Sequence, residues 1–383
     1  MEGNIIPLKC SSMQYEWGKK GSESLVFQLL KGEDNATLSE SLPYAELWMG
    51  NHPKAPSRTQ EGKTISEIEG CSELPFLFKV LSIKKPLSIQ VHPNKETSTR
   101  LHDEDPENYP DANHKPEMGY FVSKTKLLYG FRPYNEIVDF FNRVPEFHDL
   151  IEPSILQQFI DNPSPNTLKE VLFRFFHKKS GNMPTMIHHF LENLEKYNLD
   201  QEIVDTIKSI SFHFPVDIGI FTPLIMNIVV GEPGTALFIP TGVIHSYIYG
   251  DLIEVMSLSD NVIRAAMTPK HIDVDVLLSV LNFEPTPIHW VEPFCTTPNS
   301  QLFFPPLEPS DFILGSHKLG AGEAQNLPEL LNESILLVLN GTCRISGNEY
   351  VAGSVLLGLK NAKVCIEALT DCHVLICTHT KVK

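Results

Sequence analysis

Paired thiols are missing from this chain. Its seven cysteines include no C-x-x-C spacing, which argues against a thiolate zinc site. Their odd number and scattered placement argue for reduced, mostly buried thiols. Long apolar runs are missing as well. A run such as Ile335 to Leu339 falls far short of the roughly 20 residues needed to cross a bilayer, so no membrane partner is expected. The N-terminus, MEGNIIP, lacks a basic region followed by an apolar stretch, so no signal peptide is read there and a cytoplasmic location is expected. Positive charge is scarce: 31 Lys and Arg face 47 Asp and Glu, a formal net charge of −16. That disfavours nucleic acid, whose affinity rests on neutralising phosphates. It also means that any anionic ligand must be met by cations gathered locally.

What is present describes a globular protein, with 42% hydrophobic and 20% charged residues. At 383 residues the chain exceeds one ordinary core, so two or three domains are expected. Residues 1 to about 134 read as strands and turns, with Leu25–Leu30 and Leu77–Ser82 strand-like and frequent prolines breaking anything longer. From 135 the period changes: Ile137, Phe140, Phe141 and Val144 recur at three and four, as do Leu168, Val171, Leu172 and Phe175, which predicts a helical insertion over 135–221. Strands resume at Pro223–Val230 and continue through Asp251–Ser257, and Asp273–Val280 reads as a short helix. A proline-rich connector from about 285 leads to alternating strands at Ile335–Gly341, Gly353–Gly358 and Cys372–Thr378. The expected fold is therefore mainly β with a helical insertion. One β domain is drawn from 1–134 and 222–285, a helical domain from 135–221, and a C-terminal jelly-roll from 286–383.

The chemistry is anchored on Leu87–Pro93 (LSIQVHP). As a strand it places Ser88, Gln90 and His92 on one face and Leu87, Ile89 and Val91 on the other. An amide oxygen and an imidazole two residues apart on one face make half of a metal site. Gly234–His245 (GTALFIPTGVIH) then offers a strand, a tight turn and a histidine. Tyr247 and Tyr249 follow His245 at period two, so a strand would point all three inward.

The spacing of Gly234, Pro240, Gly242 and His245 resembles the second signature of the cupin barrels. Together with Gln90-Val91-His92-Pro93, Pro110–Glu117 (PDANHKPE), Pro43–Gly50 (PYAELWMG) and Ser259, Asn261, Arg264, Thr268, Pro269 and Lys270 in one order, it is similar to type I mannose-6-phosphate isomerases, from Tyr15-Glu16-Trp17-Gly18 to the C-terminal strands. The resemblance implies cupin barrels, one of them metal-binding. In the C-terminal segment, aligning Gly353 with Gly234 puts Leu359, Asn361 and Val364 where the proline, glycine and histidine should be, so a second barrel there is degenerate. It also implies one Zn²⁺ per chain, held by Gln90, His92, Glu117 and His245; Glu117 by itself reads as an exposed carboxylate, and only the family context promotes it. Two imidazoles and two oxygens suit Fe²⁺ or Mn²⁺ as well. One carboxylate against a divalent ion leaves the site about +1, a strong Lewis acid with room for a substrate oxygen.

The implied reaction is the interconversion of mannose 6-phosphate and fructose 6-phosphate through an enediol, which supplies mannose donors such as GDP-mannose. It needs a cation near the developing oxyanion, a base reaching carbon-bound hydrogen, and a clamp on the phosphorylated hexose. Arg264 is the family's marked catalytic arginine and, always cationic, is expected to stabilise charge or orient substrate. Glu254 and Lys79 contend for the base; a lysine in so apolar a strand has its pKa lowered by burial or points to the cavity. Ser88, Lys115 and Lys79 are candidates for the phosphate, and Tyr247 and Trp17 for the pocket wall, although aromatic core is the plainer account of both. Lys270 has no derivable role. His188, His189 and Glu192 read as a surface contact, and His52, His102 and His114 as surface or packing residues, His114 being open to a supporting role beside Lys115. A monomer is expected. Two other classes stay open: an Fe²⁺ cupin oxygenase and a non-catalytic sugar-binding cupin.

Overall fold

The computed structural model describes residues 4–32, 38–71, 73–178, 181–306 and 311–379. It is mainly β with some helices. Strand pairing divides into sheets of eight, ten and four strands among the described residues. The ten-stranded sheet holds Glu46–Met49, Ile89–Val91, Glu117–Phe121 and Ala236–Ile239 from the motifs quoted above, and His245–Ser257 is its organising strand. The first part of that strand pairs with the segments around Gln90 and Tyr129, its second part with Phe76–Ile83 and Glu117–Phe121. Between the two parts, at Tyr247/Tyr249, the register shifts by a bulge, and Gly250 follows with φ 131°. A Cβ at Gly250 would lie 2.3 Å from the Thr125 hydroxyl, so the corner accepts glycine there. One strand thus turns from one sheet face into another.

The bulge changes which residues face inward. Tyr247 belongs to the buried cluster with Leu81 and Leu252, whereas Tyr249 packs on the helical side. The expected inward trio of His245, Tyr247 and Tyr249 is therefore two residues, because the extra residue inverts the alternation.

Other local readings also change. Leu25–Leu30 is an α-helix, not a strand, capped by Ser24 Oγ accepting from the Phe27 amide at 3.3 Å. Its buried Val26, Phe27, Leu29 and Leu30 recur at three, which is a helical face. The anchor strand is shorter than the alternation suggested, Ile89–Val91, and Leu87 before it faces the cavity instead of sharing the face of Ile89 and Val91. A further helix, Lys95–Glu104, begins at the Asn94 cap.

The helices from Tyr134–Arg143 to Gln201–His213 bury the predicted Ile137, Phe140, Phe141, Leu168, Val171, Leu172 and Phe175 in one cluster. That cluster reaches Ile89, Val91, Ile244 and Ile263, so the helices cover the back of the strands whose other face carries Gln90. The eight-stranded sheet contains Ser334–Asn340, Val355–Gly358 and Cys372–Thr378. It also takes the N-terminal strand Ile5–Lys9, which pairs with Val355–Gly358 across the whole length of the sequence.

His317 and His373 in that sheet are bonded to Ser300 and Ser316 at 2.8 Å each. Burial first of all pushes their pKa values down, to about 4 and about 3. Both folded values lie below 6.5, so the unfolded chain takes up protons first as the medium acidifies. Their stabilising effect is complete above pH 6.5 and is lost as pH falls toward 4. Each should cost about 2 kcal/mol by about pH 5. Urea unfolding between neutral pH and pH 5 should show this acid slope, and His317→Gln should flatten it; an unchanged slope would contradict the assignment.

Candidate active site and metal centre

Two rows of residues, each running across neighbouring strands, build the site. In one, Gln90 lies opposite His245 on one side and Arg264 on the other. In the other, Lys79 lies opposite Trp48 on one side and Glu254 on the other, and Glu254 also faces Gly119. Gly119 has no side chain to obstruct the row: a Cβ there would come within 3.0 Å of the Tyr247 hydroxyl. Both rows open on a cavity of about 470 Å³.

His92, Glu117 and His245 are buried and hold donor atoms within 4.8 Å of one another. His92 Nε2 is 3.0 Å from Glu117 Oε1, and His245 Nε2 is 3.5 Å from Glu117 Oε2. Each imidazole has its Nδ1 against a backbone carbonyl, that of Asn261 (2.8 Å) for His92 and that of Val243 (3.0 Å) for His245. Nδ1 therefore donates, and Nε2 is left as the lone-pair nitrogen turned toward the cluster. The side-chain amide of Gln90 lies 3.3 Å from His245 Nε2, and Ser88 Oγ donates to its oxygen at 2.9 Å. Rotating that amide by half a turn exchanges oxygen for nitrogen in the same shape.

The donor set fits a divalent metal. His92 Nε2 and Glu117 Oε2 are buried with no hydrogen-bond partner among the described residues, an arrangement that costs free energy until an ion or proton satisfies it. Burial pushes the His92 pKa down to about 4, aided by Lys115, so the ring is neutral at pH 7. Burial alone would raise Glu117, but His92 and Lys115 outweigh it and hold the carboxyl well below its usual range. The neutral His92 imidazole and the ionised Glu117 carboxylate are in the protonation states a metal needs.

Of the two alternatives for Lys79, a pKa lowered by burial or a side chain turned to the cavity, the structure shows the second. Lys79 points to the cavity, 3.2 Å from Glu254 Oε2 and 3.7 Å from Glu46 Oε2, with Trp48 beside it at 5.1 Å. Burial draws its pKa down, yet Glu46 and Glu254 more than offset this and hold it above the ordinary lysine value. It stays charged. Glu254 moves the other way: burial, then the charge of Glu117, push it up to about 7 against the pull of Lys79. Lys115 lies 3.2 Å from Glu117. Two of the three groups read from sequence as phosphate holders are therefore tied to carboxylates.

Arg264 and Lys270 are not. Arg264 makes a hydrogen bond to the Val262 carbonyl and enters no ion pair among the described residues. Burial lowers its pKa with no carboxylate to offset it. Both cations line the cavity, as do Ser88, Tyr247 and Trp17. The Tyr247 hydroxyl is buried without a hydrogen-bond partner among the described residues. Around the cavity five cationic side chains stand against four carboxylates, on a chain of net charge −16. The local positive balance demanded by an anionic ligand is present.

Glu46 was missed from sequence, although it lies inside the quoted Pro43–Gly50 motif; only strand pairing sets it beside Lys79. His213 and Phe214, at the end of the helical segment, also line the cavity and carry no local signal. His188 pairs with Glu192 at 3.3 Å on the exposed surface. His52 is buried against Asp260 at 3.3 Å, and His102 bonds to the Tyr109 carbonyl at 2.7 Å. All three lie outside the cavity.

Fold and site together define a class: a mainly β protein with a buried two-imidazole, one-carboxylate metal centre opening on a positively lined cavity. A model of the family described as phosphomannose isomerase type I, catalytic domain, matches residues 5–134. The chain is 34% identical over 376 residues to mannose-6-phosphate isomerase of Homo sapiens, covering 88% of each chain. It is 34% identical over 378 residues to that of Bos taurus, covering 89% of each. Mannose 6-phosphate isomerase of Salmonella typhimurium, crystallised with fructose 6-phosphate and zinc, superposes with a TM-score of 0.83 at 28% identity, covering 99% of this chain and 100% of that one. The chain belongs to the mannose-6-phosphate isomerase family.

Proposed function

We propose that this protein is a zinc-dependent aldose–ketose isomerase that interconverts D-mannose 6-phosphate and D-fructose 6-phosphate and so feeds mannose donors for glycosylation. The observation that carries the reading is the meeting of His92, Glu117 and His245 beneath a cavity that also holds Glu254 and Arg264. Gln90, His92, Glu117 and His245 would hold the zinc. Bound there, it would supply Lewis-acid charge to a sugar oxygen.

The chain's own side chains account for the remaining needs. Glu254, raised toward neutrality and buried, is the carboxylate to carry a proton between adjacent carbons. Lys79, held cationic, orients Glu254 and is not the base. Arg264 and Lys270 offer unpaired charge to the phosphate or the developing oxyanion, with Ser88 beside them. Lys115 fixes Glu117. Tyr247 offers a hydroxyl to the sugar, and Trp17 an apolar wall. All these groups come from one chain, which supports action as a monomer. No described helix is long and apolar enough to cross a membrane, in keeping with a cytoplasmic setting.

The domain division follows the same reading. Residues 1–134 and 222–285 form the catalytic cupin barrel, 135–221 the helical insertion and 286–383 a degenerate second barrel. The N-terminal strand is lent to the latter.

The test is incubation with mannose 6-phosphate in deuterated water under anaerobic conditions. Fructose 6-phosphate carrying solvent deuterium at the isomerised carbon is expected, with loss of turnover on chelation. Solvent label in the product would establish proton transfer through an enediol, turnover that survives chelation would remove the metal-dependent reading, and a requirement for oxygen would favour the iron-oxygenase class.

A further inference from the structure

The segment that carries Lys115 and Glu117 has no regular structure of its own before Glu117. Much of it is pinned by the residues just before Arg264. The Asn261 side chain donates to the carbonyls of Asp111 (2.6 Å) and Asn113 (3.0 Å), and the Asp260 amide donates to Asp111 Oδ2 at 2.7 Å. Those bonds hold its beginning. Its end, next to the metal ligand, is held from elsewhere.

His114 is buried, and its Nε2 lies 2.8 Å from Asp311 Oδ2. The same oxygen accepts from the Ser257 hydroxyl at 2.6 Å. Asp311 is 1% exposed and belongs to the C-terminal part of the chain, just ahead of the strand Ile313–Leu319. Ser257 ends the long strand that carries His245 and Glu254, and its amide donates to the Pro116 carbonyl at 3.2 Å. One buried carboxylate therefore ties the strand bearing Glu254 to the loop that carries Lys115 and leads into Glu117. Among the described residues, no side chain beyond Lys270 lines the cavity.

We infer that Asp311 is a positioning residue: through His114 and Ser257 it sets the placement of Glu117 and Lys115 against Glu254, and by it the C-terminal segment acts on the metal centre without touching it. The physical case is geometric. A carboxylate accepting two short bonds from groups on different elements fixes their separation more tightly than packing alone. Partners that orient metal ligands from behind influence affinity about tenfold or more when removed, and small misplacement of reacting groups lowers turnover steeply. This inference rests on the metal-dependent isomerase reading above.

The experiment uses the full-length zinc-loaded protein and compares Asp311→Asn, His114→Gln and the double variant. Zinc affinity is read by chelator competition, and kcat and KM for mannose 6-phosphate at saturating zinc, well below the melting temperature. Each single variant should weaken zinc binding and lower kcat by about tenfold each, with KM within about twofold. The double variant should be no worse than the poorer single, because both changes remove one contact. Zinc affinity and kcat near wild type in both singles, even with a lower melting temperature, would overturn the inference; so would losses that multiply in the double. If Asp311→Asn does not fold, Ser257→Ala and His114→Gln read the same carboxylate from its two donors, and wild-type zinc affinity in both would overturn it. A wild-type protein that neither binds zinc nor isomerises would instead remove the reading beneath it.

Discussion

Replacing His245 with alanine is expected to abolish stoichiometric metal binding and isomerase turnover together. The imidazole is fully buried, its Nδ1 is engaged by the Val243 carbonyl, and its Nε2 faces Glu117 and Gln90. The opposing residue on the adjoining strand, Tyr129, cannot replace it, because its hydroxyl is already bonded to the Phe238 carbonyl. Losing one of the four proposed ligands would release the ion and with it the charge that a sugar oxygen would meet, so metal affinity and kcat/KM should each fall by about two orders of magnitude or more. Metal analysis of the purified variant beside a coupled isomerase assay gives the answer. Full turnover in a metal-free His245→Ala protein would contradict the site.

The second large effect concerns Glu254. Glu254→Gln keeps the shape of the side chain, leaves His92, Glu117 and His245 untouched, and removes the ability to take a proton. Metal content should be retained while kcat falls by about 10²- to 10⁴-fold, the usual contribution of a positioned base. The pH profile separates this from a packing effect. Burial and the charge of Glu117 push the Glu254 carboxyl up to about 7 in the metal-free site, and a cation held by Glu117 draws it back down. As the base, Glu254 must be ionised, so wild-type kcat/KM should decline as pH falls through its folded pKa, at a value below 7 with metal bound. The residual activity of Glu254→Gln should lack that decline. An acid limb unchanged in the variant would assign the titration to another group.

Much of the site was legible because its signals are local. Gln90 and His92 stand two apart in a short alternating strand. His245 follows a turn whose glycine must take φ 81°, and the histidine pair near Glu192 lies on neighbouring helical positions that point apart. In each instance the deciding neighbours lie within a few residues. Glu254 is the opposite case. Strict alternation from His245 puts it on the outer face of the strand, and only the bulge after Tyr247 returns it to the cavity. Lys79 shows the same limit in electrostatics. An apolar strand around a lysine suggests either a depressed pKa or a side chain turned to the cavity; the cavity placement is the one seen, and Glu46 and Glu254, from the two strands paired beside it, reverse the sign of the shift. Leu25–Leu30 failed for a simpler reason: six apolar-rich residues suit either a strand or a short helix, and the Ser24 cap chose.

By itself, then, the sequence determined the mainly β character, the helical stretch after 135, the family resemblance and the metal-ligand candidates, because periodicity and short motifs are written within a few residues. Tertiary structure decided which charges meet: Lys79 with Glu46 and Glu254, Lys115 with Glu117, and Arg264 and Lys270 in no ion pair among the described residues. It also decided that the chain's first strand completes its last sheet and that Asp311 reaches the loop of a ligand far earlier in the chain. Protonation and placement depend on distances across strands, and those distances exist only after the register of every strand has been set.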